Sequence, residues 1–274
     1  MTHIGEMLRY DGKRVVVTGC ASGIGAHVAA QLIELGAEVV GLDLRRPALE
    51  LNEFHEIDLS DSASIDHAAA LIGGNDVRVD ALFNVAGVSS GIGDPLRVVT
   101  INFLGTRQFT EAVIPSMPPG SAIANVSSLA ASAYRRNADV TAGLLDTASM
   151  AEGIEWCERN AAAVADGGGY RLAKEAIILY GLAKVAALGA KGVRINCTAP
   201  GVTDTPILDQ LRSAYGQGFL DSFQTPLGRA AEPGEQASVL VFLNSAAASY
   251  VTGQVIWVDG GTSGDKERHD LCPR

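Results

Sequence analysis

The chain has no continuous apolar stretch approaching the roughly 20 residues that a membrane-crossing helix requires, and its N-terminus lacks a basic-then-apolar leader. Membrane insertion and export are therefore not expected, and the cytoplasm is the expected compartment. Basic residues are also scarce. Lys and Arg total 21 against 31 Asp and Glu, a formal net charge of −10, whereas a phosphate-binding surface needs clustered cations. This argues against nucleic acid as a partner and assigns the acid excess to solubility. The four cysteines, at 20, 157, 197 and 272, form no Cys-x-x-Cys pair, and the five histidines, at 3, 27, 55, 67 and 269, do not cluster. No metal site is expected. The thiols read as buried or incidental, with Cys20, in a glycine-rich turn, the one expected to be open to modification. Repeats and low-complexity runs are absent as well.

What the chain does contain is alternation. Arg14-Val15-Val16-Val17-Thr18 reads as a buried parallel strand, being β-branched and nearly all apolar. The turn Gly19-Cys20-Ala21-Ser22-Gly23-Ile24-Gly25 follows, then helical spacing of Val28, Ala29, Leu32, Ile33 and Leu35 up to Gly36, then the strand Val39–Asp43. Asp43 falls 18 positions after Gly25, where a dinucleotide-binding β-α-β unit places the carboxylate that receives the adenosine ribose. Further strands are expected near 54–58, 79–85, 122–126, 193–198 and 254–258, and helices near 62–73, 96–117, 170–189 and 233–244. The 274 residues, 47 % hydrophobic with 31 glycines, fit one domain over 1–274. The fold class is α/β, a doubly wound parallel sheet of Rossmann type with right-handed crossovers, whose ligands bind beyond the carboxyl ends of the strands. The polar tail after Ser263 is expected to fray.

Tyr170 and Lys174 stand four apart on the 170–189 helix, so they share a face and the ammonium lies within reach of the phenol or of a ligand beside it. A phenol with an ordinary pKa near 10 needs such a neighbour to act as acid or base near neutrality. Lys174 and the positive nicotinamide ring of an oxidised dinucleotide are expected together to lower the pKa of Tyr170.

With these motifs in order, the chain resembles the short-chain dehydrogenase/reductase family, in the group with a Thr-Gly-x-x-x-Gly-x-Gly turn. The matching positions are Thr18–Gly25, Asp58, Asn84-Val85-Ala86-Gly87 (with Val85 in place of the family's second Asn), Asn102, Ser127-Ser128, Tyr170/Lys174, Pro200–Pro206 and Val258–Gly261. The resemblance implies NAD as cofactor. Gly19, Ser22, Gly23, Ile24 and Gly25 would receive its pyrophosphate, and Asp43 the adenosine ribose. Asp58 and Leu59 would line the adenine, Asn84, Ala86 and Gly87 would border the ribose, and Pro200, Thr203 and Thr205 would hold the carboxamide. The negative charge of Asp43 would repel a 2′-phosphate, and Arg45 and Arg46 are read as solvated. The implied catalytic set is Asn102, Ser128, Tyr170 and Lys174: Tyr170 as acid/base, Ser128 on the substrate oxygen, Lys174 also on the nicotinamide ribose, and Asn102 fixing a water that links Lys174 to solvent. Ser127 is the rival for the serine role.

One departure carries information about the substrate. Ser128 and Tyr170 are 42 positions apart, far more than in most relatives, and the insertion, about 131–168, includes Tyr134-Arg135-Arg136, a helix-like run over 144–164 and Gly167-Gly168-Gly169. It is expected either to roof the substrate pocket, to build a subunit contact, or only to pack. A smaller bacterial group, resembling 3α-hydroxysteroid dehydrogenase/carbonyl reductases and coniferyl-alcohol dehydrogenases, carries a similar insertion. The implied activity is NAD-dependent interconversion of an alcohol and a carbonyl on a bulky apolar substrate, with a hydroxysteroid first and a coniferyl-type aromatic alcohol second. A cofactor-sensing protein without turnover is the contrasting reading. The substrate loop is placed at about 204–228, and the implied assembly is a homodimer or homotetramer.

Overall fold

The computed structural model describes residues 3–73, 77–216, 218 and 225–272. Seven strands, β1 (Arg14–Thr18), β2 (Glu38–Asp43), β3 (Glu53–Glu56), β4 (Ala81–Asn84), β5 (Ala122–Val126), β6 (Arg194–Pro200) and β7 (Val255–Val258), form one sheet in the order β3-β2-β1-β4-β5-β6-β7. Every pairing is parallel. In chain order the helices are α1 (Ile4–Met7), α2 (Gly23–Glu34), α3 (Ser62–Gly73), α4 (Pro95–Val99), α5 (Thr106–Val113), α6 (Ala138–Leu145), α7 (Met150–Arg159), α8 (Ala161–Ala165), α9 (Tyr170–Gly189) and α10 (Pro206–Tyr215). The last two described are α11 (Pro233–Asn244) and α12 (Thr262–Leu271). No described helix is long and apolar enough to cross a membrane.

Burial on both faces explains why the central strands β1, β4 and β5 are mostly apolar rather than alternating, whereas the edge strand β3, Glu53–Glu56, is polar and only partly buried. Val15 and Val17 point into a core with Val28 and Leu32 of α2 and Leu240 of α11, while Val16 points the other way, toward Ile65 of α3, Phe109 of α5 and Ile177 of α9. Each fully buried valine contributes about 1.5–3 kcal/mol through removal of its side chain from water. Strand order reverses between β1 and β4, which opens a crevice at their carboxyl ends.

The expected helix over 96–117 is interrupted. Its centre, Thr100–Gly105, is a π turn between α4 and α5. Two contacts fix that turn. Asn102 is bonded to Val88, and Gly105 lies so close to the Leu59 carbonyl that a Cβ would stand 2.0 Å from its oxygen. The run over 144–164 is likewise not one helix: α6 ends at Leu145, Ser149 starts α7 by accepting the Glu152 N–H at 3.2 Å, and Asn160 ends α7. The tail expected to fray is α12, with Asp265 and Arg268 paired at i and i+3. Of the expected substrate loop, Pro206–Tyr215 is helical, and residues 217 and 219–224 lie outside the described residues.

Candidate active site

The carboxyl ends of β1, β2, β4, β5 and β6 converge on a cleft of about 1090 Å³. Its floor is set by Thr18, whose hydroxyl accepts the N–H groups of Val85 and Ala86 at 3.1 Å and so ties the end of β1 to the end of β4. Close backbone approach requires glycine at two positions. A Cβ on Gly19, whose φ is +74°, would stand 2.7 Å from Ala86 Cα, and one on Gly25 would stand 2.1 Å from the Gly19 carbonyl oxygen. Ser22 caps α2 without a side-chain bond, so its hydroxyl is not committed to the cap. Free N–H groups at that helix start, with the positive end of the helix dipole, suit an anion.

Asp43 sits beside this turn, accepting Ala21 N–H at 3.0 Å and Arg45 N–H at 3.2 Å, which leaves acceptor capacity on both oxygens. Arg45 and Arg46 are both exposed, as expected, with Arg45 on the cleft wall and Arg46 over the Phe54 ring at 5.1 Å. The Asp58 carboxyl is held below its usual range, chiefly by its bond with the Ser60 hydroxyl. Asp58, Leu59, Ile24, Ala86, Gly87, Pro200, Thr203 and Thr205 line the cleft. Cys20 corrects an expectation. Its side chain is buried against Gly41, and desolvation, then the charge of Asp43, pushes the thiol up to about 12, so it is a packing group rather than a site open to modification.

At the other end, α9 starts at Tyr170 and brings Lys174 one turn deeper. The Lys174 ammonium donates to the Val126 carbonyl at 2.9 Å and lies 5.7 Å from the centroid of the Tyr170 ring. Burial lowers its pKa to about 8. Burial raises the pKa of Tyr170, and Ser128 opposes the rise; the expected lowering also counts on the positive nicotinamide ring of bound NAD⁺, which acts only in the complex. The two serines divide their tasks. Ser127, 2 % exposed, donates its hydroxyl to the Lys174 carbonyl at 2.7 Å and so holds α9 to β5. Ser128 starts the next turn through Ala130 N–H and reaches Tyr170.

Two predicted residues do not line the cleft. Asn84 turns into the core, donating to Thr110 and Asn125 at 2.9 and 2.8 Å, so it braces β4 against α5 and β5. Asn102, 1 % exposed, bonds the Val88 N–H and carbonyl, both at 2.8 Å, and shapes the π turn. Conversely, sequence reasoning passed over Ser89, Ser90, Arg171, Gln210 and Tyr215, all on the cleft wall. The available signals were the Ser-Ser pair just after the Ala86-Gly87 motif and a basic residue beside Tyr170.

The insertion is joined to the body rather than laid over the pocket. Leu144, Met150, Cys157 and Val164 belong to the larger core, and of its length only the ends, including Ser132, Gly167 and Gly168, line the cleft. Arg107 of α5 anchors it, donating to Thr147 O at 2.9 Å, Ser149 O at 3.1 Å and Thr147 Oγ1 at 3.2 Å while lying over the Phe103 ring. A buried carboxylate, Glu175 at 0 % exposure, joins Arg171 (3.1 Å) to Asn137 (2.6 Å), and Arg171 also bonds Asp166.

Comparison with known proteins follows the same outline. Residues 13–140 match the family described as short chain dehydrogenase, and residues 158–263 match one described as enoyl-(acyl carrier protein) reductase. A coniferyl-alcohol dehydrogenase from Pseudomonas sp. (strain HR199 / DSM 7063) is 34 % identical over 93 % of this chain and 98 % of its own. The chain belongs to the short-chain dehydrogenase/reductase family. A 3-alpha-hydroxysteroid dehydrogenase/carbonyl reductase of Comamonas testosteroni is another such relative, 33 % identical over 90 % of this chain and 95 % of its own. The solved 3-alpha-hydroxysteroid dehydrogenase of Pseudomonas sp. B-0831, complexed with NADH, aligns with a TM-score of 0.78 at 28 % identity, covering 96 % of this chain and 99 % of that one.

Proposed function

We propose that the chain is an NAD-dependent dehydrogenase/reductase that interconverts an alcohol and a carbonyl on a bulky, largely apolar substrate, a hydroxysteroid-type secondary alcohol or ketone first. The observation that carries this reading is the grouping of Tyr170, Ser128 and Lys174 on one cleft with a glycine cradle and Asp43 at its other end. The cradle fits a dinucleotide: the Gly19 and Gly25 approaches leave no room for a Cβ, and the start of α2 offers unpaired N–H groups. Gly19, Ser22, Gly23, Ile24 and Gly25 would hold the pyrophosphate, Asp43 the adenosine ribose, Asp58 and Leu59 the adenine, Ala86 and Gly87 the nicotinamide ribose, and Pro200, Thr203 and Thr205 the carboxamide. NAD supplies the hydride acceptor in oxidation, and NADH the donor in reduction.

The chain's own residues handle the proton. Tyr170 takes it from the alcohol as hydride leaves the same carbon, and returns it in reduction. Ser128, on the same cleft as Tyr170, stabilises charge developing on the substrate oxygen. Lys174, fixed by the Val126 carbonyl and 5.7 Å from the centroid of the Tyr170 ring, would also hold the nicotinamide ribose. Asn102 contributes by holding the π turn in shape through Val88. A coniferyl-type aromatic alcohol is the second reading, favoured by the relative at 34 % identity. The deciding experiment follows NADH absorbance with NAD⁺ and a panel of 3α-hydroxysteroids and phenylpropanoid alcohols. Turnover of one class assigns the substrate, and none with either, by protein that binds NADH, removes the reading. For assembly we propose a homodimer or homotetramer through α11 and the edge strand β7, because α6 of the insertion packs along α9; mass measurement in solution tests it.

A further inference from the structure

The α10 wall of the cleft carries hydrogen-bonding groups that proton transfer does not use. Ser89, buried, donates its hydroxyl to Gln210 Oε1 at 3.1 Å and accepts the Gly91 N–H at 3.2 Å. The Tyr215 phenol donates to Ser90 Oγ at 3.1 Å. All four side chains line the same cleft as Tyr170. Ser90 also stands against the turn that leads into the active-site helix: a Cβ on Gly168, two residues before Tyr170, would lie 2.7 Å from Ser90 Cβ.

These bonds consume acceptors and leave donors. With Oε1 of Gln210 engaged by Ser89, the amide plane is fixed and its Nε2 group has no partner among the described residues. Ser90 Oγ and the Tyr215 phenol share one hydrogen bond, and a hydroxyl both donates and accepts, so Ser90 can turn a donor toward a ligand. A cleft wall with two donors fixed in place suits a ligand oxygen that accepts. The body of the substrate can be apolar, but the wall asks for one keto, ether or phenolic oxygen.

We propose that Gln210 and Ser90 form a second polar subsite that reads an oxygen acceptor on the substrate, remote from the carbon that exchanges hydride, with Ser89 and Tyr215 holding them in position. The inference rests on the dehydrogenase reading above and refines its substrate class. A site with fixed donors discriminates against an analogue lacking the oxygen, because those donors then stay unpaired.

The test uses matched alcohols, with 3α-hydroxy-5α-androstane bearing or lacking a 17-keto group as one pair and coniferyl against cinnamyl alcohol as the other. The parent protein is expected to favour the oxygenated member of the pair it turns over by about tenfold or more in kcat/KM, the worth of one well-made hydrogen bond. The sharper variant is Gln210→Glu, which keeps an acceptor for Ser89 and hence the α10 contact, but deletes the Nε2 donor. It and Ser90→Ala are each expected to reduce that preference severalfold, mainly by raising KM for the oxygenated member, with NADH binding retained as the check on folding. No preference in the parent, or an undiminished preference in Gln210→Glu, overturns the subsite while leaving the dehydrogenase reading intact. A variant that slows both members equally shows that these groups only close α10, and also overturns it. Absence of turnover with every alcohol, despite NADH binding, removes the underlying reading and the subsite with it.

Discussion

Gly169→Ala isolates how much of the catalytic geometry depends on the entry into α9. Gly169 has φ +76°, and a Cβ there would stand 2.1 Å from the Pro95 carbonyl oxygen and 2.9 Å from its carbon. Carbon–oxygen contacts usually begin near about 3.3 Å, so the backbone on one side must move by about 1 Å. That movement reaches the reacting group, because Ala173 N–H bonds the Gly169 carbonyl at 3.1 Å and Tyr170 is the next residue. Misplacing a catalytic group by about 1 Å costs on the order of 100-fold in rate. The control is Gly167→Ala. Its φ of +72° carries the same left-handed penalty, about 1–2 kcal/mol, but its nearest neighbour is the Arg171 side chain at 3.0 Å rather than backbone. Gly167→Ala should therefore lower Tm by a few degrees, about 2–4 °C per kcal/mol, and leave most of kcat. Gly169→Ala should lose more stability and about two orders of magnitude in kcat, with a much smaller change in NADH affinity. Steady-state kinetics, thermal unfolding and NADH fluorescence titration measure the three quantities. Equal kcat in the two variants would refute the argument that the Pro95 contact sets the position of Tyr170.

Four further outcomes are expected. Tyr170→Phe removes the proton carrier and keeps the ring, so turnover should fall by about 100-fold or more while NADH still binds, and a variant retaining a substantial share of its rate excludes the role. In the unmodified protein, the pKa of Tyr170 is raised by burial, so oxidation, which needs the phenolate, should accelerate as pH rises into the alkaline range, while reduction, which needs the phenol, should slow there; pH profiles of both directions that run the other way would contradict the assignment. Asp43→Ser should raise the ratio of NADP to NAD efficiency by more than about tenfold, since like-charge repulsion at such a contact costs several kcal/mol, and comparable efficiencies in the parent would show that Arg45 on the same wall already accommodates the extra phosphate. Arg107→Met strips three close bonds from the 147–149 loop and leaves its carbonyls unpaired, which should cost about 3–5 kcal/mol in urea unfolding, and a loss under about 1 kcal/mol would show that the insertion does not depend on this anchor.

The parts of this molecule that were readable in sequence are those in which local pattern and global role coincide. Arg14–Thr18 is apolar because both sheet faces are covered, and the glycine turn must be glycine because Ala86 and the Gly19 carbonyl press on it, so strand, turn and helix announce themselves. The unread parts depend on partners distant in the chain. Nothing near Asn84 reveals that Thr110 and Asn125 claim its amide, and nothing near Cys20 reveals the packing that buries it. Ser149 and Asn160 end helices inside a run whose composition alone reads as continuous. Spacing places Lys174 on the right face but cannot show that Val126 holds its ammonium or how deeply Tyr170 is buried. Gln210 and Tyr215 lie on α10, whose apolar stripe of Ile207, Leu208 and Leu211 marks a helix but not what its polar residues face, and they acquire meaning only opposite Ser89 and Ser90.

The location of the insertion has a consequence for how the protein assembles itself. β1 to β5 form a contiguous half-sheet from the first part of the chain, but β6, the neighbour of β5, begins only at Arg194, after the insertion and α9 have emerged. Until then β5 is an open edge, and pairing it requires closing a long loop whose entropy must be met before the new contacts compensate. The helices of the insertion shorten that gap. By docking on Arg107, they draw the chain back over α5 and deliver α9 beside β5, so that Ser127 can bond Lys174 and β6 can enter. If this segment is the splint along which the second half of the sheet is laid down, loosening its anchor by Arg107→Met should slow refolding as well as lower stability.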